Sequence, residues 1–250
     1  MTNERDRSHG FVSSRCRAWW WTASGLICVV VIGLLCVAPA QSGEAREQQQ
    51  LVDRSKLTFD AFLSDPKLAS WLRTEAKDAK AIFIVPHLLR GALVVGASGG
   101  SGVLLARDFV KGGWSPPAFY TMSAGSFGLQ AGGDASEVLL VIRTFAGLER
   151  FYGGGTFKLG MDSGLSIGPL GEGGVSGLDM VSFAKSKGAF VGLSFSGFAI
   201  SASSKANEAY YGKAVKPEQI LANGPINNSG ADALRAAVGR ANRTRQRDAE

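Results

Sequence analysis

Residues 80–107 read KAIFIVPHLLRGALVVGASGGSGVLLAR, and this stretch decides the class of fold. Residues 81–85 are apolar without a break, as a strand buried on both faces is, and Pro86 is expected to end that strand. Residues 91–97 and 102–107 then flank Ser98-Gly99-Gly100-Ser101. That four-residue run reads as a hairpin turn, because glycine supplies positive φ without steric cost. The glycine pattern continues outward: residues 80–213 hold 26 of the chain's 33 glycines, set among short apolar and β-branched runs. A glycine inside a helix costs about 1 kcal/mol relative to alanine, so this region excludes long helices and favours strands that bend or bulge.

Two amphipathic helices are expected ahead of this core. In residues 44–63, Leu51, Val52, Phe59, Phe62 and Leu63 share one helical face. Asp65-Pro66 reads as an N-cap with proline at the first helical position, opening a second helix striped by Leu68, Trp71, Leu72, Ala76 and Ala79. Downstream, strands are expected near 119–126, 137–143, 156–161 and 178–183, and short helices near 145–151, 206–211 and 217–221. In residues 189–201 the apolar phase changes between Val191, Leu193, Phe195 and the pair Phe198, Ile200, which predicts a bend or bulge at Gly197. The predicted class is α+β: a glycine-rich, mostly antiparallel twisted sheet or barrel-like core with N-terminal amphipathic helices and short covering helices. Residues 222–250, rich in Asn, Gly, Ala and Arg, are expected to be a flexible basic tail.

Residues 1–40 read as a targeting segment. Arg5, Arg7, Arg15 and Arg17 make its start basic, residues 18–37 carry no charge, and Ala38-Pro39-Ala40 fits an A-x-A cleavage site. The 20 uncharged residues are also long enough to span a bilayer, with Trp19, Trp20 and Trp21 suited to its interface. An uncleaved inner-membrane anchor over 18–37 is therefore the alternative, and either reading exports the bulk of the chain to the periplasm or cell envelope. Cys16, Cys28 and Cys36 all lie in this segment, so a chain cut after Ala40 has no disulfide and no thiolate metal site. Neither Cys28 nor Cys36 follows a small residue, as lipidation requires. Residues 41–250 carry 23 basic and 19 acidic side chains, a net charge of +4. That mild excess permits attraction to anionic lipid and does not call for nucleic acid.

Catalytic motifs fail on context. The G-x-S-x-G strings around Ser98 and Ser166 would need a strand–turn–helix setting and a histidine base, but both serines are expected between strands. His87 is the one histidine after residue 40, and without cysteines it makes a poor transition-metal site. Gly153-Gly154-Gly155 and Gly171-Glu172-Gly173-Gly174 lack dinucleotide spacing, and Gly212-Lys213 is followed by Ala214 where a phosphate loop needs a hydroxyl. Asp162, Glu172 and Asp179 are scattered acids in expected turns, with divalent-cation binding left open. No enzymatic activity and no cofactor are expected.

Five strings then occur in one order and spacing: SGVLLARD at 101–108, WSPPAFYTMSAGSFGLQAGGDASEVLLVI at 114–142, TFKLGMDSGLSIGPLG at 156–171, VSFAKSKGAFVGLSFSG at 181–197 and NEAYYGKAVKPEQIL at 207–221. Together they resemble the SYLF domain family over residues 52–221. The resemblance implies a non-enzymatic lipid-binding domain. Eukaryotic members bind phosphoinositides, partly through an amphipathic N-terminal helix, and some bind actin filaments; exported bacterial members are lipid-binding proteins of the cell envelope. With its leader, this chain resembles the bacterial branch, for which actin binding is not expected. The resemblance divides the chain into a leader at 1–40, a SYLF-like domain at 41–221 and a tail at 222–250.

Carried onto this sequence, lipid contact is expected from Arg54, Lys56, Phe59 and Phe62 on the first helix. Lys185 and Lys187 in the AKSKG segment, with Arg90, Arg107 and Lys158, are further expected headgroup contacts. The expected partner is a phospholipid or membrane surface, with no nucleic acid. The alternatives are an envelope protein partner, or carriage of an apolar small molecule in an internal cavity.

Overall fold

The computed structural model describes residues 38–92, 95–127, 132–159, 165–167, 179–186, 189–190, 197–222 and 224–243. The leader before residue 38, Lys187, Asp162 and Glu172 lie outside the described residues. Strand β1 (Ala81–Ala92) lies at the centre, antiparallel to β2 (Val95–Ala106) on one side and to β4 (Gly132–Ile142) on the other. Its apolar run is unbroken because both faces are covered: Ala81, Phe83 and Val85 enter one core layer, and Ile82 and Ile84 the other. Pro86 does not end the strand. The register shifts between Ile84 and Leu89 against β2 and between Val85 and Leu88 against β4, so Pro86 occupies a bulge, where a missing N–H is tolerated.

The expected hairpin turn at Ser98–Ser101 is also corrected, since β2 runs straight through it. Ser98 and Gly99 pair with Arg90 and Leu89 on one side, and with Ala124 and Ser123 of β3 (Ala118–Phe127) on the other. The glycines serve close approach rather than a turn. A Cβ on Gly100 would stand 2.4 Å from the His87 carbonyl oxygen, and one on Gly102 would stand 2.4 Å from that of Ile84. They leave room for the β1 bulge.

The remaining strands are β5 (Thr156–Lys158), β6 (Leu165–Ile167), β7 (Met180–Ser186), β8 (Ala189–Phe190) and β9 (Ala199–Ala202). They complete an open nine-stranded sheet in the order β5-β9-β3-β2-β1-β4-β7-β6, with β8 paired to β7. The β6–β7 pair is parallel, and the other described pairs are antiparallel. Gly197 does turn the chain, at φ +83°, and its N–H donates to the Leu159 carbonyl just before β9. Val191, Leu193 and Phe195 lie outside the described residues.

The helices are α1 (Ala38–Ser64), α2 (Ala69–Asp78), α3 (Phe145–Tyr152), α4 (Ser204–Tyr211), α5 (Pro217–Leu221) and α6 (Asp232–Arg243). Leu148 and Phe151 of α3 and Ile220 and Leu221 of α5 join one core layer. Val52, Phe59 and Phe62 of α1, Leu72 and Ala76 of α2, and Leu234 and Val238 of α6 join the other. The α6 packing corrects the expected flexible tail over part of its length. Leu234, Ala237, Val238 and Ala241 fall at helical spacing, and that buried stripe outweighs the polar composition around it. Asp65 does not cap α2 as expected: the helix begins at Ala69 with Leu68 as its N-cap. Asp65 instead closes the turn before it, its carboxylate accepting from the Lys67 N–H at 2.9 Å and its carbonyl from the Ala69 N–H. Asn207 clasps α4 to β3, accepting from the Phe119 N–H at 2.9 Å and donating to the Phe119 carbonyl.

Candidate functional site

Helix α1 turns its aromatic face inward. Phe59 and Phe62 are both 0 % exposed, in the same core layer as Leu139, Val141 and Phe183. The expectation that they meet a bilayer is corrected, because reaching one would forfeit burial worth about 2–3 kcal/mol per ring. Lys185 is drawn into the same seam. Its Nζ lies 3.1 Å from Asp65 Oδ2 and 5.5 Å from the centre of the Phe62 ring, and donates to the Ala61 carbonyl. The Lys67 N–H, and then the Lys185 ammonium, hold the Asp65 carboxyl below the usual carboxylate range. Lys185 is thus a buried internal cation rather than a headgroup contact. Lys56 is also engaged, at 2.7 Å from Asp60 one turn along the helix.

Arg54 takes another position, exposed at an open groove of about 310 Å³ between α1 and α4. Leu51, Ala206 and Ala209 supply apolar wall, while His87 on the β1 bulge and Ser101 line its base. Lys205 of α4 ties the walls together through an ion pair with Glu44 of α1 at 2.7 Å, which raises the Lys205 pKa. Lys158 stands exposed on edge strand β5. Arg90 is half-buried across from Asp134 of β4, its Nε without a hydrogen-bond partner among the described residues. Among the described residues, the expected cations therefore do not converge on one site.

Arg107 belongs to a separate surface at the end of the sheet, where a tight loop joins β2 to β3. The Arg107 and Trp114 backbones form an antiparallel bridge, and the Asp108 N–H donates to the Gly113 carbonyl at 3.1 Å. Gly112 and Gly113 supply φ +75° and +94°, conformations that disfavour any side chain. Inside the loop, the buried Asp108 carboxylate accepts from the Val110 and Lys111 N–H groups at 2.9 and 2.8 Å. The Lys111 amide is the chief reason its pKa lies below the usual value. The loop is closed around Asp108, and its two apolar side chains point outward: Phe109 is 49 % exposed and Val110 is 93 % exposed.

Phe145, at the start of α3, joins them at 57 % exposure, its ring centre 5.6 Å from that of Phe109. Lys80 Nζ lies 4.5 Å from the Phe109 ring and 5.1 Å from the Phe145 ring, and the Arg107 guanidinium lies 5.3 Å from Phe109. Arg107 also donates to the Lys77 carbonyl, which brings the end of α2 and its exposed lysine alongside. Of the described residues expected to meet lipid, only Arg107 falls here. Lys80, Phe109, Val110 and Lys111 escape a reading by periodicity, since loop residues have none, and Phe145 opens a helix whose buried stripe is Leu148 and Phe151. The signal was DFVKGG at 108–113, where two large apolar side chains sit inside a glycine-closed turn and have no core to enter.

Neither G-x-S-x-G serine stands on a nucleophile elbow: Ser98 is inside β2 and Ser166 inside β6. Asp179 has a structural role, accepting from the Thr144 hydroxyl at 2.6 Å beside the start of α3. The Tyr120 hydroxyl, buried and donating to the Phe151 carbonyl at 2.7 Å, has its pKa pushed far up by burial and serves packing.

A family model described as Ysc84, Las17-binding protein actin regulator, matches residues 123–241. Among curated proteins the chain is similar to LAS seventeen-binding protein 3 of Saccharomyces cerevisiae, 33 % identical over 155 residues. That match covers 58 % of this chain and 33 % of the relative. It is also similar to human SH3 domain-containing YSC84-like protein 1, 30 % identical over 149 residues, covering 57 % of this chain and 43 % of the relative. The chain thus spans between about a third and about two-fifths of the length of these relatives. The matched family is described as one of actin regulators, and this overturns the expectation that actin binding is remote for such a chain. The order of the five strings, the open sheet they build and these matches support the resemblance to the Ysc84 (SYLF) family, whose model covers just under half of this chain.

Proposed function

We propose that this chain is a non-enzymatic lipid-binding module of the cell envelope, exported by the leader at residues 1–40. The observation that carries this reading is the open groove beside α1. Arg54, Lys205 and His87 offer positive or hydrogen-bonding groups to a phosphate headgroup, and Leu51, Ala206 and Ala209 offer apolar wall to the chain region below it. Glu44 and Glu47 also line the groove, and the Lys205 pair offsets part of their charge. The mid-strand setting of Ser98 supports the non-enzymatic side of the proposal.

Co-sedimentation with neutral and anionic vesicles at low and high salt tests it. Salt-sensitive binding to anionic vesicles, weakened by Arg54→Glu, is the expected result. Binding to neither vesicle would end the lipid reading. A second reading is favoured by the family's description: a protein-docking role in actin regulation. Co-sedimentation with actin filaments in the absence of vesicle binding would put that reading first.

A further inference from the structure

The loop at 107–113 is built to present apolar side chains that the fold does not use. A loop with no task would carry polar residues at its tip. Here Val110 is 93 % exposed, with Phe109 and Phe145 about half exposed beside it. The presentation is also fixed. Asp108 holds two loop amides, two left-handed glycines close the turn, and the Arg107–Trp114 bridge seals its base. Little conformational entropy remains to be lost when the tip meets a partner.

The charge around the tip has one dominant sign. Lys80 and Arg107 stand over the exposed aromatic rings, and Lys111 and Lys77 are exposed at the flank. The nearby acids are mostly engaged: Asp108 by backbone amides, and Glu75 by Arg143 at 3.3 Å. Asp78, at the end of α2, and Glu149, one turn along α3 from Phe145, are exposed acids on this side. Apolar and aromatic groups projecting ahead of a ring of cations match the layering of a membrane surface. The rings fit the depth of the glycerol and upper acyl region, and the ammonium and guanidinium groups fit the phosphates above it.

We infer that the Phe109–Val110 tip, with Phe145 and the cations Lys80, Arg107 and Lys111, docks this domain onto anionic bilayers by shallow insertion. This inference rests on the lipid reading above but not on the α1 groove. Cation–π contact serves the free state: it keeps Lys80 and Arg107 beside the rings, already at the level where phosphates arrive.

The test uses the full chain with phosphatidylcholine vesicles, with and without phosphatidylserine, comparing wild type with Phe109→Ser/Val110→Ser and with Lys80→Glu/Lys111→Glu. Thermal unfolding confirms that each variant is folded. Both variants are expected to lose about tenfold or more of the affinity for anionic vesicles. Val110→Trp keeps the tip apolar and reports locally: bromine-labelled lipid should quench its emission beyond the quenching seen for wild type. Wild type that binds neither vesicle would overturn the lipid reading itself. Wild type that binds, with the serine variant binding equally and the Val110→Trp variant quenched no more than wild type, would overturn the tip alone. Normal vesicle binding by the serine variant, coupled with loss of actin-filament binding, would likewise overturn it and assign the tip to a protein.

Discussion

Two regions of this molecule use the same chemistry and dispose of it in opposite ways. At the α1 seam, the Lys185 ammonium lies 5.5 Å from the Phe62 ring, and both are buried. At the sheet end, the Lys80 ammonium lies 4.5 Å from the Phe109 ring, and that ring is half exposed. The difference follows from local structure. Phe59 and Phe62 recur at helical spacing, so a whole face of α1 closes on the sheet and takes Lys185 with it. Phe109 and Val110 sit in a turn whose backbone is satisfied by Asp108 and two glycines, and both side chains stay exposed. An aromatic–basic pattern therefore says little about lipid contact until the element that carries it is known.

The comparison is broken most sharply at Phe62. Phe62→Ala should cost about 3–5 kcal/mol of stability, as for other buried aromatics, whereas Phe109→Ala should change it by less than about 0.5 kcal/mol. Denaturant unfolding of both variants measures the contrast, and comparable losses would mean that the tip is part of the core. Gly102→Ala comes next. Its Cβ would meet the Ile84 carbonyl oxygen at 2.4 Å, so a loss of about 1–3 kcal/mol is expected by the same measurement. Gly112→Ala has open space around it and only its φ of +75° against it, so about 1 kcal/mol is expected, with the loosening confined to the tip.

The smallest effect is a pH dependence. The Asp108 carboxyl is depressed in the folded loop by the Lys111 and Val110 amides, relative to an ordinary value of 3.8. Its contribution is therefore fully present above that ordinary value and is lost as pH falls through the depressed one. Protection of the Val110 and Lys111 amides, corrected for intrinsic exchange, should fall on acidification. Asp108→Asn should lack that acid transition. An unchanged acid profile in the variant would show that another group closes the loop.

Much of the fold was legible because burial imposes a period. The two-sided run of residues 81–85, the α1 and α2 stripes and the phase change at Gly197 each point to the element they form. Pro86 and Gly99-Gly100 misled for one shared reason. Local residue preference was read as a break or a turn, while the structure uses the proline and Gly100 at a bulge between paired strands. The α6 stripe was hidden by its polar surroundings. The surface sites were less legible. Lys185 and Arg107 look alike in sequence, and only the pairing of β7 beneath α1 and the loop closure around Asp108 separate an internal cation from an outward one.

Hydrogen exchange of the chain with and without phosphatidylserine-containing vesicles tests this division most directly. The account predicts new protection at residues 108–113 and 145–147 and unchanged exchange across residues 57–63, because the tip meets the bilayer while the aromatic face of α1 stays docked. Unchanged exchange at the tip, with altered exchange across residues 57–63, would contradict it and return lipid contact to the aromatic face of α1.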